Sequence, residues 1–375
     1  MAEALKNMYS SAFLNEFGQK VQRVYQNFDT ERFVALVTDE PWRELELKAR
    51  IRAISTALGN CLQQDYGQAL DVLYKLRPEC TGFPYLFFPD FVEVFGQAED
   101  DWERSMQALE VFTSGSSSEF AVRPFLLKSP ERMMRQMEQW ALSPDEHVRR
   151  LASEGCRPRL PWGQSLPEFK RNPARVLRVL ELLKADPSPY VRKSVANNLN
   201  DIAKDHPGLV AEIAARWIGL DPGTDWIVRH GCRTLIRKAD PAVLSLFGYA
   251  DLADGENAVR GAWLQAEPQA VPIGGSCELR YRIRLGGKER MHLRIEYAID
   301  FVKSGGKTSR KLFLLSDRDF QPDSEISGTR MHRWADLTTR RHYPGLHRIV
   351  LLINGREAAE TAFTLVPQGE GERLL

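Results

Sequence analysis

Three segments of the chain share one pattern, and its spacing constrains the fold more than any other feature of the sequence. A proline at a predicted helix start is followed four to six residues later by Val-Arg, as in SPDEHVRRLASEG, DPSPYVRKSVANNL and DPGTDWIVRHGCRTLI. The valines Val148, Val191 and Val228 are 43 and 37 residues apart, and HEAT or armadillo helix pairs repeat roughly every 40 to 47 residues. Repeats of this kind bury their apolar faces only against their neighbours, so we expect a helical solenoid with a concave surface.

The spacing of the apolar residues changes once along the chain. From Ala2 to about Asp251 they recur at helical spacing, as in RELELKARIRAISTAL and NPARVLRVLELLKAD. After the polar segment DLADGENAVRG they alternate with polar residues in CELRYRIRL and MHLRIEYAIDF, and an Asn-Gly pair divides HRIVLLINGREAAETAFTLV into two strand-like runs. We therefore predict a multidomain chain, α then β, with a HEAT-like α-solenoid over residues 1–251 and a small immunoglobulin-like β-sandwich over residues 258–375.

The charges are segregated along the chain, although the net formal charge is only +1. Residues 1–118 carry a net charge of −7, residues 119–240 carry +6, and residues 241–375 carry +2. A basic middle segment is expected where one face of an elongated molecule binds phosphates. A chance fluctuation among solvated helices is the alternative.

Several classes of protein are excluded by missing patterns. The five cysteines are odd in number and scattered, without a CxxC motif, so neither a disulfide framework nor a zinc site is encoded. We expect a reducing, cytoplasmic location, because no apolar run long enough to cross a membrane and no signal-peptide pattern is present. P-loop, GxSxG and HExxH motifs are also missing.

Helical spacing brings three carboxylates into related positions of successive repeats. Residues three, four and seven apart share one helix face, so Arg150, Glu154 and Arg157 form one stripe. By the same spacing Glu119 faces Arg123, and a second polar stripe consists of Ser194, Asn197, Asn198 and Asp201. Glu119, Glu154 and Asp201 are therefore expected to converge on an arginine-rich patch. Structural ion pairs explain such patterns more often than catalysis does.

A proline-rich loop interrupts the repeats. The segment RPRLPWGQSLPEF combines three prolines with Arg157, Arg159 and Trp162. A rigid loop that presents an aromatic ring beside guanidinium groups is common at binding surfaces. The alternative is that Trp162 covers the end of the solenoid core.

Several longer strings resemble one family. SSSEFAVRPF, HVRRLASEGCRPRLPWG, YVRKSVANNLNDIAKDHP, WIVRHGCRTLIRK, ALKNMYSSAF and FPDFVEVFG are similar to the AlkC branch of the bacterial DNA alkylation repair glycosylases, which are relatives of AlkD. The similarity extends over most of residues 1–250, and the C-terminal part resembles an immunoglobulin-like appendage found on some members. The resemblance implies a monomeric bacterial enzyme that releases cationic alkylpurines, chiefly 3-methyladenine, from double-stranded DNA without a metal or organic cofactor.

The resemblance also implies roles for individual residues. Glu119, Glu154 and Asp201 become the catalytic candidates, with Glu119 ranked first, while Trp162 and Arg157 become the lesion-binding candidates. The expected DNA contacts are Arg123, Arg150, Arg159, Lys170, Arg192, Lys193, Lys204 and Arg229. Carboxylates stabilise an oxocarbenium-like sugar and position water, and an indole attracts a cationic base.

Two alternatives stay open at this point. A HEAT scaffold that binds DNA or protein without chemistry would share the fold, since a fold alone does not define a function. In the predicted sandwich, Lys303, Lys307, Arg310 and Lys311 lie on or near a glycine-containing turn that is either a second contact with the duplex or a solvated hairpin.

Overall fold

In the computed structural model, the described residues are 5–62, 65–252, 258–337 and 340–367, and within them sixteen α-helices precede eight β-strands. Helices α1 to α16 are, in order, Ser11–Val24, Thr30–Thr38, Leu47–Leu62, Tyr66–Leu76, Phe87–Phe95, Trp102–Gly115, Val122–Lys128, Pro130–Trp140, Glu146–Gly155, Pro167–Arg171, Ala174–Leu183, Pro189–Ile202, Pro207–Trp217, Pro222–Gly231, Arg233–Arg237 and Pro241–Leu246. Strands β1 to β8 are Val259–Glu267, Ala270–Pro272, Ser276–Leu285, Met291–Val302, Thr308–Phe320, Glu325–Arg333, Gly345–Ile353 and Arg356–Val366.

The chain forms two compact units, Met1–Cys232 and Arg233–Leu375. The first contains α1 to α14, and the second contains α15, α16 and all eight strands. The domain limits predicted above, 1–251 and 258–375, follow the change of secondary structure instead and remain a prediction. Within the described ranges, no helix combines the length and apolar composition needed to cross a membrane.

The three segments with the shared pattern form the second helices of successive helix pairs. The pairs are α8 with α9, α11 with α12, and α13 with α14, and helices α6, α9, α12 and α14 pack side by side in one row. Val148, Val191 and Val228 are all buried in this arrangement. The predicted HEAT-like solenoid is thereby confirmed.

The Val-Arg dipeptide has a structural explanation in two of these helices. Arg149 on α9 donates to the carbonyl oxygens of Ser143 and Pro144 at 3.0 and 2.8 Å. Arg192 on α12 donates to those of Asp186 and Pro187 at 2.9 and 2.8 Å. Each arginine therefore satisfies carbonyl groups of the connection that leads into its own helix, where no helical hydrogen bond is available to them.

The second unit is a β-sandwich, as predicted. One sheet has the strand order β1-β3-β6 and the other has the order β2-β8-β7-β4-β5, with all pairs antiparallel except β2 and β8. The two alternating segments are strands β3 and β4, and the Asn-Gly pair forms the hairpin between β7 and β8. Asn354 and Gly355 have φ values of 46° and 78°, which a tight two-residue hairpin turn requires.

The core of the sandwich is centred on a buried tryptophan. Trp334 stacks on Phe363 with ring centroids 4.6 Å apart, and Phe301 contacts it edge-on. Three histidines also pack against the indole: His332, His342 and His347. All three are buried.

Candidate active site

A cavity of about 440 Å³ in the helical unit brings together five of the residues predicted from the sequence. These are Glu119, Arg150, Glu154, Arg157 and Trp162. The rest of the wall consists of Gly82, Phe83, Leu86, Ser116, Ser117, Phe120, Leu160, Pro161 and Tyr190. Carboxylates, guanidinium groups and one exposed indole thus share a single concave surface.

Glu119 lies in the turn between α6 and α7, and its two oxygens have different surroundings. Oε2 accepts a hydrogen bond from the Ser117 hydroxyl at 2.8 Å and forms an ion pair with Arg150. Among the described residues, none donates to Oε1. The side chain is only 15% exposed, so a carboxylate oxygen that takes no hydrogen bond from the described residues lies on the cavity wall.

Glu154, in the last turn of α9, is held on both of its oxygens. Arg157 contacts Oε1 at 2.6 Å, and Arg150 lies 3.6 Å from the same atom. The Ser194 hydroxyl donates to Oε2 at 2.6 Å. The predicted stripe of Arg150, Glu154 and Arg157 is therefore present, and Glu154 links it to helix α12.

Asp201 does not line the cavity, although we expected three converging carboxylates. Its side chain is 3% exposed and receives Arg157 Nε at 2.9 Å and Lys204 Nζ at 3.0 Å. Arg157 therefore bridges Asp201 on α12 to Glu154 on α9. The structure places Asp201 behind Arg157, where it orients that guanidinium.

The arginines of this cluster stay charged despite their burial. Burial lowers the pKa of Arg150, but the negative charges of Glu119 and Glu154 outweigh it and raise the pKa overall. The pKa of Arg157 is raised in the same way, by Glu154 and Asp201 against the effect of burial. Burial also raises the pKa of Tyr190, whose ring lies 5.0 Å from the Arg150 guanidinium.

Trp162 occupies a strained turn and is 64% exposed. The Gly163 N–H donates to the Leu160 carbonyl at 3.0 Å, which closes a four-residue turn with Pro161 at its second position. Trp162, at the third position, has a φ of 61°. A proline followed by a residue with positive φ is typical of a type II turn, where glycine is preferred. An exposed tryptophan in this conformation indicates a functional position.

Two predictions about Arg123 were wrong. We expected it to share a helix face with Glu119 and to contact DNA, but Glu119 precedes α7 and Arg123 is 1% exposed. Its guanidinium donates to the carbonyl oxygens of Gly155, Arg157 and Gln164, the first two at 2.9 and 3.0 Å. Burial lowers its pKa to about 10. Arg123 therefore anchors the loop that carries Trp162 and cannot reach a phosphate.

The other residues that we expected to contact DNA differ in the exposure and the ion pairs of their side chains. Arg192 donates from Nη1 to its own helix connection, as described above, and its side chain is half-buried, so its contact with DNA stays a prediction. Lys204 pairs with Asp201, and Arg159 pairs with Asp205 at 2.7 Å. Lys193 and Arg229 are exposed, and Lys170 is half-buried.

Sequence reasoning missed several residues of the wall, notably Ser117, Tyr190 and Phe120. One signal was available, because Tyr190 directly precedes Val191 just as His147 precedes Val148, and the two rings are in edge contact. Ser117 and Phe120 flank Glu119 in the chain, but no repeat marks them.

No three His, Cys, Asp or Glu side chains in the described part of the chain are grouped so as to hold a metal ion. The fold and the cavity define a helical-repeat protein with a cavity lined by carboxylates, arginines and an exposed indole, followed by an immunoglobulin-like sandwich. This architecture is shared with known proteins.

Residues 112–222 match the family model of DNA alkylation repair enzymes. Residues 261–367 match the model of the C-terminal Ig-like domain of the uncharacterised protein YhaZ. The chain is 44% identical to YhaZ of Bacillus subtilis over 351 residues, which cover 94% of this chain and 96% of that protein. The alkylpurine DNA glycosylase AlkC of Pseudomonas fluorescens, solved bound to DNA containing an abasic site analog, is 37% identical and superposes with a TM-score of 0.92 over 97% of this chain and 100% of its own. This chain belongs to the AlkC-type family of DNA alkylation repair glycosylases.

Proposed function

We propose that this protein hydrolyses the N-glycosidic bond of cationic alkylated purines, chiefly 3-methyladenine, in duplex DNA. The observation that carries the proposal is the pairing, on one cavity wall, of the Glu119 carboxylate with the exposed indole of Trp162. We further propose that the protein acts as a monomer on bacterial DNA in the cytoplasm, without a metal or organic cofactor. The described activity and DNA complex of the Pseudomonas fluorescens relative support this proposal.

The carboxylates provide the catalytic chemistry in this proposal. Alkylation of a purine ring nitrogen makes the base cationic and weakens its bond to the sugar, so the leaving group needs little further protonation. Positive charge then develops on the sugar, and a fixed carboxylate stabilises it. Glu119 is suited to this role because its Oε1 takes no hydrogen bond from a described residue and is available to the sugar or to the attacking water.

Glu154 and Asp201 hold the cluster in place in this mechanism. Both oxygens of Glu154 are engaged, and Asp201 lies behind Arg157. Together they orient Arg150 and Arg157 and so hold Glu119 against the cavity wall. Preorganisation of this kind keeps the cost of reorganisation low during the reaction.

Trp162 recognises the damaged base in this proposal. Its indole is exposed beside the carboxylates, and a cationic base over an indole gains roughly 0.5 to 2 kcal/mol of cation–π attraction. Normal bases lack the positive charge and gain less. The indole therefore favours the same bases whose glycosidic bonds are already weakened.

Replacing Glu119 by Gln tests the proposal, because it removes the charge and preserves the volume. We expect folding and DNA affinity to survive, while single-turnover release of 3-methyladenine from methylated duplex DNA falls on the order of a hundredfold or more. Glu154→Gln is the matched control: Arg150 and Arg157 would lose a buried partner, so its melting temperature should drop. Wild-type excision by Glu119→Gln would shift the catalytic assignment to Glu154, the other carboxylate on the cavity wall. Failure of the unmodified protein to release any base would favour a non-catalytic DNA-binding role.

A further inference from the structure

One residue outside the repeats contacts both parts of the cavity that the proposed function uses. Lys48 is the second residue of α3, in the acidic first third of the chain. Its ammonium donates to the carbonyl oxygen of Trp162 at 3.1 Å, across 114 residues of sequence. The same ammonium lies 4.8 Å from the centre of the Phe120 ring.

These two contacts fall at positions that set the geometry of the cavity. Phe120 directly follows Glu119, so the Lys48 ammonium packs against the turn that carries the carboxylate. Trp162 has the positive φ described above, and a non-glycine residue remains in that conformation only where its surroundings hold it. A hydrogen bond to its own carbonyl is a direct way to hold it.

Lys48 also lines two cavities that border this wall. Together with Ser117 and Phe120, Lys48 lines a cavity of about 20 Å³, and Ser117 is the hydroxyl that donates to Glu119. With Trp162 it lines a larger cavity of about 510 Å³. Trp162 therefore lines both this larger cavity and the candidate active site, and Lys48 contacts the residue common to them.

We propose that Lys48 is a positioning residue that fixes the distance and orientation between the Glu119 turn and the Trp162 indole. This inference rests on the proposed function, because it assigns to Lys48 the geometry on which excision depends. A lysine suits the task, since one ammonium donates a hydrogen bond to a carbonyl while its charge attracts the face of a ring. Displacing a reacting group by about 1 Å can reduce a rate by about a hundredfold.

The test compares Lys48→Met with Lys48→Arg in the full-length protein. Met keeps the apolar stem but loses both polar contacts, so single-turnover excision of 3-methyladenine should fall by tenfold to a hundredfold, roughly. The dissociation constant for undamaged duplex DNA should stay within about twofold, because both of the contacts that the variant loses lie within the protein. Arg retains a cationic donor and should recover most of the rate. Lys6→Met is the matched control, because Lys6 lines the larger cavity but pairs with Glu46 and forms neither of the two contacts that Lys48 makes.

A second measurement is independent of catalysis. In protein labelled with 5-fluorotryptophan, the fluorine resonance of Trp162, assigned by its loss in Trp162→Phe, should shift in Lys48→Met and stay in place in Lys6→Met. An unchanged resonance, or wild-type excision by Lys48→Met, would overturn the role of Lys48. A rate loss matched by equally weakened binding to undamaged DNA would identify Lys48 as a phosphate contact instead. If the unmodified protein released no base, the proposed function would fail, and the fluorine shift would still decide whether Lys48 positions Trp162.

Discussion

At the residue scale, Trp162 has a backbone conformation that glycine adopts more readily than tryptophan. The third position of its turn favours glycine, because a Cβ atom at positive φ is strained. The loop nevertheless carries a large aromatic side chain there and leaves most of it exposed. Pro161 and the buried guanidinium of Arg123 stabilise the loop around it. An exposed indole kept at a strained backbone position is expected if the indole binds a ligand.

Trp162→Gly separates the indole from the turn. Glycine removes a strain of about 1 kcal/mol and adds a flexibility cost of about 0.5 to 1 kcal/mol, so thermal melting should remain within a few degrees of wild type. Excision of 3-methyladenine and the preference for damaged over undamaged DNA should both fall. Trp162→Ala is the control, since it removes the indole but keeps a Cβ at positive φ. Wild-type selectivity in the glycine variant would mean that the indole does not recognise the base.

At the scale of the elements, the sequence pattern predicted helices and strands but did not predict the geometry of the loops. Helices α9, α12 and α14 follow from their spacing, and strands β3, β4, β7 and β8 follow from alternation and the Asn-Gly turn. Treating Glu119 as part of a helix with Arg123 was wrong, because helical spacing says nothing about where a chain leaves the helix. The contacts of Arg123 with the loop span 32 to 41 residues of sequence, and no local pattern encodes them.

The histidines of the sandwich should make this unit sensitive to acid. Burial lowers the pKa of His332 to about 4, helped by the nearby charges of His342, Arg340 and Arg330. Burial lowers the pKa values of His342 and His347 as well. A histidine whose folded pKa is depressed contributes its full stability above its unfolded pKa of about 6.5, and this contribution is lost as the pH falls toward the folded value. For His332 alone the loss amounts to about 3 kcal/mol.

Calorimetric melting of the full chain between about pH 7.5 and pH 4.5 measures this effect. One transition should move to lower temperature as the pH falls below about 6.5. His332→Phe, which retains the ring contacts with Phe313 and Trp334, should make that transition less dependent on pH. Equal slopes for the variant and the wild type would exclude His332 as the source.

At the scale of the whole molecule, the segregation of charge predicts how DNA binding responds to salt. Three of the residues expected to contact phosphates are exposed: Lys193, Lys204 and Arg229. Each neutralised phosphate contributes about −0.9 to the slope of log affinity against log salt, so these three contacts give a slope on the order of −3. Lys193→Gln should reduce the steepness by about one, while Lys75→Gln, an exposed lysine in the acidic first third, should leave it unchanged. Affinity for duplex DNA that is independent of salt would contradict a phosphate-binding face.

The sequence by itself determined the order of the two architectures, the period of the repeats, and five residues of the candidate site. The first two depend on spacing along the chain, which is local information, and the site residues were indicated by the motifs that contain them. Only the tertiary structure decided that Arg123 is structural, that Asp201 lies behind Arg157, and that Lys48 reaches Trp162 across 114 residues. A charged side chain has the same sequence signature whether it faces solvent or buried carbonyl oxygens. Its role is decided by which groups the packing of distant helices brings within hydrogen-bonding distance.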